Sequence, residues 1–156
     1  MSFVNSNDHI TGRRPLPTPV GQELLAARFV LPMAPADLVA NNVGQIGALP
    51  AGCVPVDVLV DGTDMDSGAA AMVLQVGLLD AAGTAISAAA ADGGGFWGST
   101  VATNTAFHQR LTMSGNAIAT VTSNSNADRK VGVRVATAPT TPVAGTLAVT
   151  VLYRAA

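Results

Sequence analysis

The residues in this chain best suited to chemistry are three aspartates, two histidines and one cysteine. Asp61, Asp64 and Asp66 share a polar stretch bounded by Gly62 and Gly68. Calcium takes several oxygen ligands, and an EF-hand loop supplies them as Asp-x-Asp-x-Asp-Gly with a distal glutamate. The spacing here differs. Met72 stands at the twelfth position counted from Asp61, and Glu23 is the only glutamate in the chain. The trio therefore reads as a solvated turn. His9, His108 and Cys53 lie far apart, with no ligand spacing for a transition metal and no third group to orient a Cys–His nucleophile. Cys53 is the single cysteine, so no disulfide forms within the chain; at the head of a strand it reads as a small buried hydrophobe.

Other motifs of chemistry are missing too. Gly93-Gly94-Gly95 lacks the Lys and Ser/Thr of a phosphate loop and the strand–helix setting of a dinucleotide fingerprint. There is no Gly-x-Ser-x-Gly elbow and no carboxylate pair in a recognisable cleft. No catalytic residue, metal or cofactor is expected. Arg129 and Lys130, with Arg134 nearby, form the one basic group on the domain and read as a solvated edge or a charge-paired interface. With a net charge of −2 the chain offers no field for nucleic acid. No apolar run of transmembrane length and no signal-peptide pattern is visible, so no membrane partner is expected.

Composition describes scaffold. Hydrophobic residues make up 49%, mostly alanine and valine, with aromatics at only 4%. Charged residues are 12%, about half the usual share of roughly 25%. A surface so poor in charge suggests that much of it faces other protein. At 156 residues one domain is expected.

The elements follow from period-two alternation. Residues 53–61 place Val54, Val56, Val58 and Val60 on one face. Residues 72–79 do the same with Met72, Leu74, Val76 and Leu78. With the aspartate loop between them they read as a β-hairpin. Residues 23–31 read as a strand stopped by Pro32 and Pro35, and Asn41-Asn42 marks a bend. Leu49-Pro-Ala-Gly52 reads as a turn in which Gly52 is free to take a positive φ. Residues 84–91 fit one or two helical turns or a strand end equally. Phe96-Trp97 reads as a loop pair, either a plug for the core or an exposed anchor. Residues 105–113, 117–123, 131–136 and 147–153 supply further strands, with a tight turn at 114–116. About eight short strands without a long helix predict an all-β fold, an antiparallel β-sandwich that is jelly-roll-like by strand number.

Residues 1–22 read as an extended N-terminal arm ahead of a β-sandwich at 23–156. Pro15, Pro17 and Pro19 alternate, which removes backbone donors and favours polyproline geometry. The arm either hangs free or lies across a neighbour. Phe3, Val4, Ile10, Arg13, Arg14 and Leu16 are its candidate partner-binding residues.

Ile46-Gly-Ala-Leu-Pro-Ala-Gly52 with Val76-Gly-Leu-Leu-Asp80, and Val131-Gly-Val-Arg-Val with Ala144-Gly-Thr-Leu-Ala-Val-Thr-Val-Leu-Tyr153, resemble small structural proteins of tailed bacteriophages, the head decoration or cement proteins. The resemblance covers about residues 40–156 and carries no site residue, because its motifs are turns and strands. It implies a structural virion protein on the capsid exterior, made in the host cytoplasm and bridging neighbouring subunits. The implied partners are the major capsid protein and further copies of itself, as a dimer or trimer. Under this reading, removing residues 1–22 leaves a folded domain that no longer binds capsids. The alternatives are another virion component (tail, fibre or head–tail joining protein) and a carbohydrate-binding module using Phe96-Trp97.

Overall fold

The computed structural model describes residues 3–21, 23–68, 72–88, 95–101, 105–113 and 126–156. Eight strands appear among them: β1 (Leu25–Met33), β2 (Val43–Leu49), β3 (Cys53–Gly62), β4 (Val73–Leu78), β5 (Phe96–Val101), β6 (Phe107–Arg110), β7 (Arg129–Thr137) and β8 (Gly145–Ala155). One turn of 3-10 helix, Pro35–Asp37, links β1 to β2.

Strand pairing is nested. β1 pairs with β8, β2 with β7, β3 with β6 and β4 with β5, all antiparallel. The chain is therefore one long hairpin whose crest lies between β4 and β5. Added pairs β3–β8 and β4–β7 complete two four-stranded sheets, ordered β1-β8-β3-β6 and β2-β7-β4-β5. Eight strands in that double Greek-key arrangement form a jelly-roll β-sandwich, the fold class expected from strand number.

The core lies between the sheets. Phe29, Leu31, Val58, Val60, Val149, Val151 and Tyr153 enter from one side, and Ile46, Leu74, Val76, Trp97, Val131, Val133 and Val135 from the other. Each is excluded from solvent, a gain of about 1.5–3 kcal/mol for a fully buried aliphatic side chain. The alternation read in β1, β4, β6, β7 and β8 is the observed one.

Several expectations change. The strands at 53–61 and 72–79 are not a hairpin: β3 and β4 belong to opposite sheets. The connection between them is long enough to cross the roughly 10 Å between packed sheets, and buried Met65 plugs the core on the way. The face of β3 is also not continuous. A bulge between Pro55 and Asp57 lets Cys53 and Pro55 point inward before it and Val58 and Val60 after it, leaving Val56 exposed. Pro32 does not end β1, which runs on to Met33. As an edge strand it can turn the donorless Pro32 nitrogen away from β8.

Phe96 and Trp97 open strand β5 rather than forming a loop. Of residues 84–91, residues 84–88 are bend and extended chain, bridged from Leu79 to Ile86, and residues 89–91 lie outside the described residues. The bend at Asn41-Asn42 holds, with Asn41 at φ 67°. So does the turn before β3, with Gly52 at φ 67° and Cys53 N–H donating to Pro50. The turn at 114–116 and the strand at 117–123 lie outside the described residues.

Candidate functional site

The N-terminal segment lies along the sandwich, over the seam between edge strands β1 and β2, which belong to opposite sheets. Phe3 is in the core cluster at 7% exposure. Val4 N–H donates to Asp37 Oδ1 at 2.7 Å and Asn5 Nδ2 to the Pro32 carbonyl at 2.8 Å. Asn7 Nδ2 donates to Val30 O in β1 at 3.2 Å and to Ile46 O in β2 at 2.8 Å, so one amide clips the two sheets together. Asn7 Oδ1 also accepts the N–H groups of His9 and Ile10, an Asx turn that starts a tight coil at 7–11. Farther along, Tyr153 donates its hydroxyl to Pro17 O at 2.7 Å, and Pro19 is buried.

This placement divides the six candidate arm residues. Phe3 is buried, and Ile10 and Leu16 are half-buried against the same core. Val4, at 71% exposure, and Arg13 and Arg14 face solvent. The apolar anchors thus hold the segment to its own domain, while one valine and two arginines are presented outward. Sequence reasoning missed Asn5 and Asn7, whose amides hold the segment. No local pattern marks them, because their acceptors lie far away in the chain.

Between residues 14–17 and β1 is a cleft of about 400 Å³ lined by His9, Arg14, Leu16, Ala26, Arg28 and Val30, among others. Arg28 is held by Asp61 in a two-pronged ion pair at 2.5 and 2.6 Å across the outer face of the sheet. Arg14 has no side-chain partner among the described residues. The His9 ring stands edge-on to Phe29, with centroids 5.0 Å apart, and its Nδ1 is buried without a partner among the described residues.

The three loop aspartates have separate tasks. Asp61 pairs with Arg28. Asp64 Oδ1 accepts the N–H of Asp66. Asp66, read as part of a solvated turn, is fully buried. Its carboxylate accepts the backbone N–H groups of Thr141 at 2.8 Å, Thr140 at 2.9 Å and Gly68 at 3.0 Å, tying the β3–β4 connection to the loop before β8. Burial pushes this carboxyl up, but the three donors outweigh it and hold it below the usual aspartate range.

The basic group is occupied too. Arg129 is buried and donates to the Cys53 carbonyl, joining β7 to β3, and Lys130 donates to Ala81 O. Arg134 donates to Gln75 and Asn41. His108 and Cys53 are not brought together: His108 is exposed on β6 and Cys53 is buried. Trp97 is fully buried and Phe96 is 37% exposed, so the pair presents no aromatic platform for a sugar. The site's resources are surface, backbone edge and charge rather than reactive groups.

Among the described residues, exposed large hydrophobic side chains concentrate in the same region. Val4, Val20, Leu24 and Val30 are exposed on or beside the arm and β1; Val39, Val56 and Phe96 are exposed elsewhere.

No protein-family model matches the chain, and no curated protein does. Among solved structures it is similar to a chain of the capsid of Ralstonia phage GP4, with 25% identity and a TM-score of 0.72 over 96% of this chain and 96% of that one. A chain of the cyanophage Pam1 capsid asymmetric unit matches with 18% identity and a TM-score of 0.51, covering 91% of this chain and 94% of that one. The second likeness is one of fold. Taken with the jelly-roll topology, the likeness to the Ralstonia phage GP4 capsid chain supports a capsid-related structural virion protein.

Proposed function

We propose that the protein is a capsid decoration protein, which binds the outer surface of a phage shell and stabilises it by bridging neighbouring major capsid subunits. The observation that carries this reading is the match across 96% of both chains to a component of a phage capsid structure. The chemistry of the surface agrees with it. The charge is low, Arg28 and Arg110 pair with Asp61 and Asp57 within the fold, and exposed apolar side chains among the described residues gather along the arm and β1. Val4, Arg13 and Arg14 are the arm residues that reach the shell, while Phe3, Ile10 and Leu16 brace them from behind. Copies of the protein associate as a dimer or trimer, so that several modest contacts add through avidity. The protein is made in the host cytoplasm and works on the virion exterior without a cofactor and without catalysis.

Shells prepared without this protein, mixed with the purified chain and sedimented, test the proposal. Co-sedimentation with saturable occupancy, and added density on the outer surface in particle images, are the expected results. Density at the tail or neck, or no association, overturns it. Arg13→Glu and Arg14→Glu together should weaken shell binding by about tenfold or more and leave thermal unfolding unchanged, since both side chains are exposed.

A further inference from the structure

The free edge of β1 is only partly covered. Carbonyl groups of Val30 and Pro32 point away from β8, because they accept the amides of Asn7 and Asn5 from the other side. Backbone groups alternate in direction along an antiparallel strand, so Ala26 and Arg28 also turn their N–H and C=O groups to that open edge. Donorless Pro32 fits the same phase. Arm side chains satisfy the carbonyls of Val30 and Pro32, and no hydrogen bond to the Val30 N–H or to the outward groups of Ala26 or Arg28 is found among the described residues.

That uncovered stretch opens onto the 400 Å³ cleft. Its lining includes Ala26, Arg28 and Val30, from the outer face of β1, and Ala27, from the inner face, so the cleft lies along the strand's edge. Across it stand Arg14, Pro15, Leu16 and Pro17. Arg28 is neutralised by Asp61, which leaves Arg14 as the uncompensated cation. Asp8 lines a smaller cavity shared with Arg14 and Arg28, but no carboxylate lies within ion-pair distance of Arg14 among the described residues.

We propose that this strip is a docking site for an extended acidic segment of another protein, which adds as a strand beside β1 and sets a carboxylate on Arg14. Main-chain bonds to Ala26 and Arg28 give the affinity, and Leu16 and Val30 provide the apolar contacts on either side. A second copy of this chain does not supply the segment from its own sheet edges. β1 itself carries Arg28, β6, at the far edge of the same sheet, carries His108 and Arg110, and β2 and β5 carry no charged residue. The edge strands of a second copy thus offer no carboxylate, which favours an acidic segment of a different protein. Only the identification of that protein as a capsid subunit rests on the function proposed above.

The test uses the full chain, labelled for backbone amide resonances, and two capped peptides, Thr-Val-Asp-Val-Thr and Thr-Val-Lys-Val-Thr. The aspartate peptide should shift the Ala26 and Arg28 amides saturably, with the lysine peptide about tenfold weaker or worse. Arg14→Glu should reverse that preference. Ala26→Pro removes an outward N–H that β8 does not use, so the protein should stay folded and lose the peptide-induced shift at Arg28. Absence of saturable shifts at Ala26 and Arg28, or equal response to both peptides, overturns the proposal. Wild-type protein that takes the aspartate peptide at β1 but ignores capsid shells supports this inference and overturns the capsid-binding reading.

Discussion

The ring of Phe3 lies against Gly44 so closely that a methyl group added to the glycine would stand 2.2 Å from Phe3 Cδ2. No side chain fits beneath that ring, so the start of the arm and the edge of the second sheet are matched surfaces. Gly44→Ala should therefore expel Phe3 or strain β2, at a cost of about 1–3 kcal/mol read in urea unfolding. In a Phe3→Ala background the same change should be nearly neutral. A double-mutant cycle with coupling below roughly 0.5 kcal/mol would show that the contact is not maintained in solution.

That relationship changes what removal of residues 1–22 means. Loss of the segment uncovers the core at Phe3 and the seam between β1 and β2, so lost capsid binding in a truncation would mix instability with lost contacts. Point changes at exposed arm residues separate the two effects.

Asn7 gives a second test of the same seam. Its Nδ2 donates to carbonyls in both sheets and its Oδ1 holds the local turn. Asn7→Asp keeps the turn acceptor but replaces the shared donor with an anion facing two carbonyl oxygens. It should destabilise the fold by about 1–3 kcal/mol and speed hydrogen exchange at Ile10 and Thr11, whose amides are bonded within that turn. An Asp variant as stable and as protected as wild type would mean that the clip across the sheets contributes nothing.

The strands were legible where one face is buried and the other is not. Val131, Val133 and Val135, and Leu147 to Tyr153, show a clean alternation because β7 and β8 are inner strands paired on both sides, and the bulges opposite those residues fall in their partners β2 and β3. Pairing was not legible. β3 and β4 are successive and both alternate, yet the decision to lie side by side or in opposite sheets depends on β8 and β7, which come much later. The bulge at Pro55–Asp57 changes the face without changing the pattern of residue types. β5 was missed because Gly98 and Ser99 dilute its apolar signal. The arm's polyproline spacing correctly excluded an interior strand, but its docking depends on Asn5 and Asn7 reaching carbonyls 23 to 39 residues away.

Asp66 should give the protein a specific acid response. Its carboxyl lies below the ordinary value of 3.8 in the folded state, despite burial, through the N–H groups of Thr141, Thr140 and Gly68. A depressed folded value means that its stabilisation is fully present above the unfolded value and is lost as pH falls through the folded one. Asp66→Asn turns an amide donor toward one or more of those N–H groups. It should be less stable than wild type at neutral pH, with a difference that shrinks as pH drops below about 4. Asp80, held down chiefly by the Thr84 N–H, titrates in the same direction, so some acid sensitivity should remain in the variant. A stability difference that is constant from pH 7 to pH 2 would rule out Asp66 as its source.

Cys53 tests the packing where the sheets meet. Burial pushes its thiol up, the nearby Arg129 charge draws it down, Asp128 raises it again, and the net direction is upward. The thiolate is the nucleophile, so both burial and the raised value predict an unreactive thiol. Iodoacetamide at pH 8 should leave the folded protein unmodified under conditions that fully alkylate it in urea. The Arg129 guanidinium donates to the Cys53 carbonyl, linking β7 to β3 across the sandwich. Arg129→Met removes that link while keeping a long apolar stem, and should raise the alkylation rate of the folded state by loosening the start of β3. If Cys53 reacts in the native protein as fast as in urea, the start of β3 is open in solution. If it stays inert in both wild type and Arg129→Met, burial alone protects the thiol and the arginine link does not hold β3 closed.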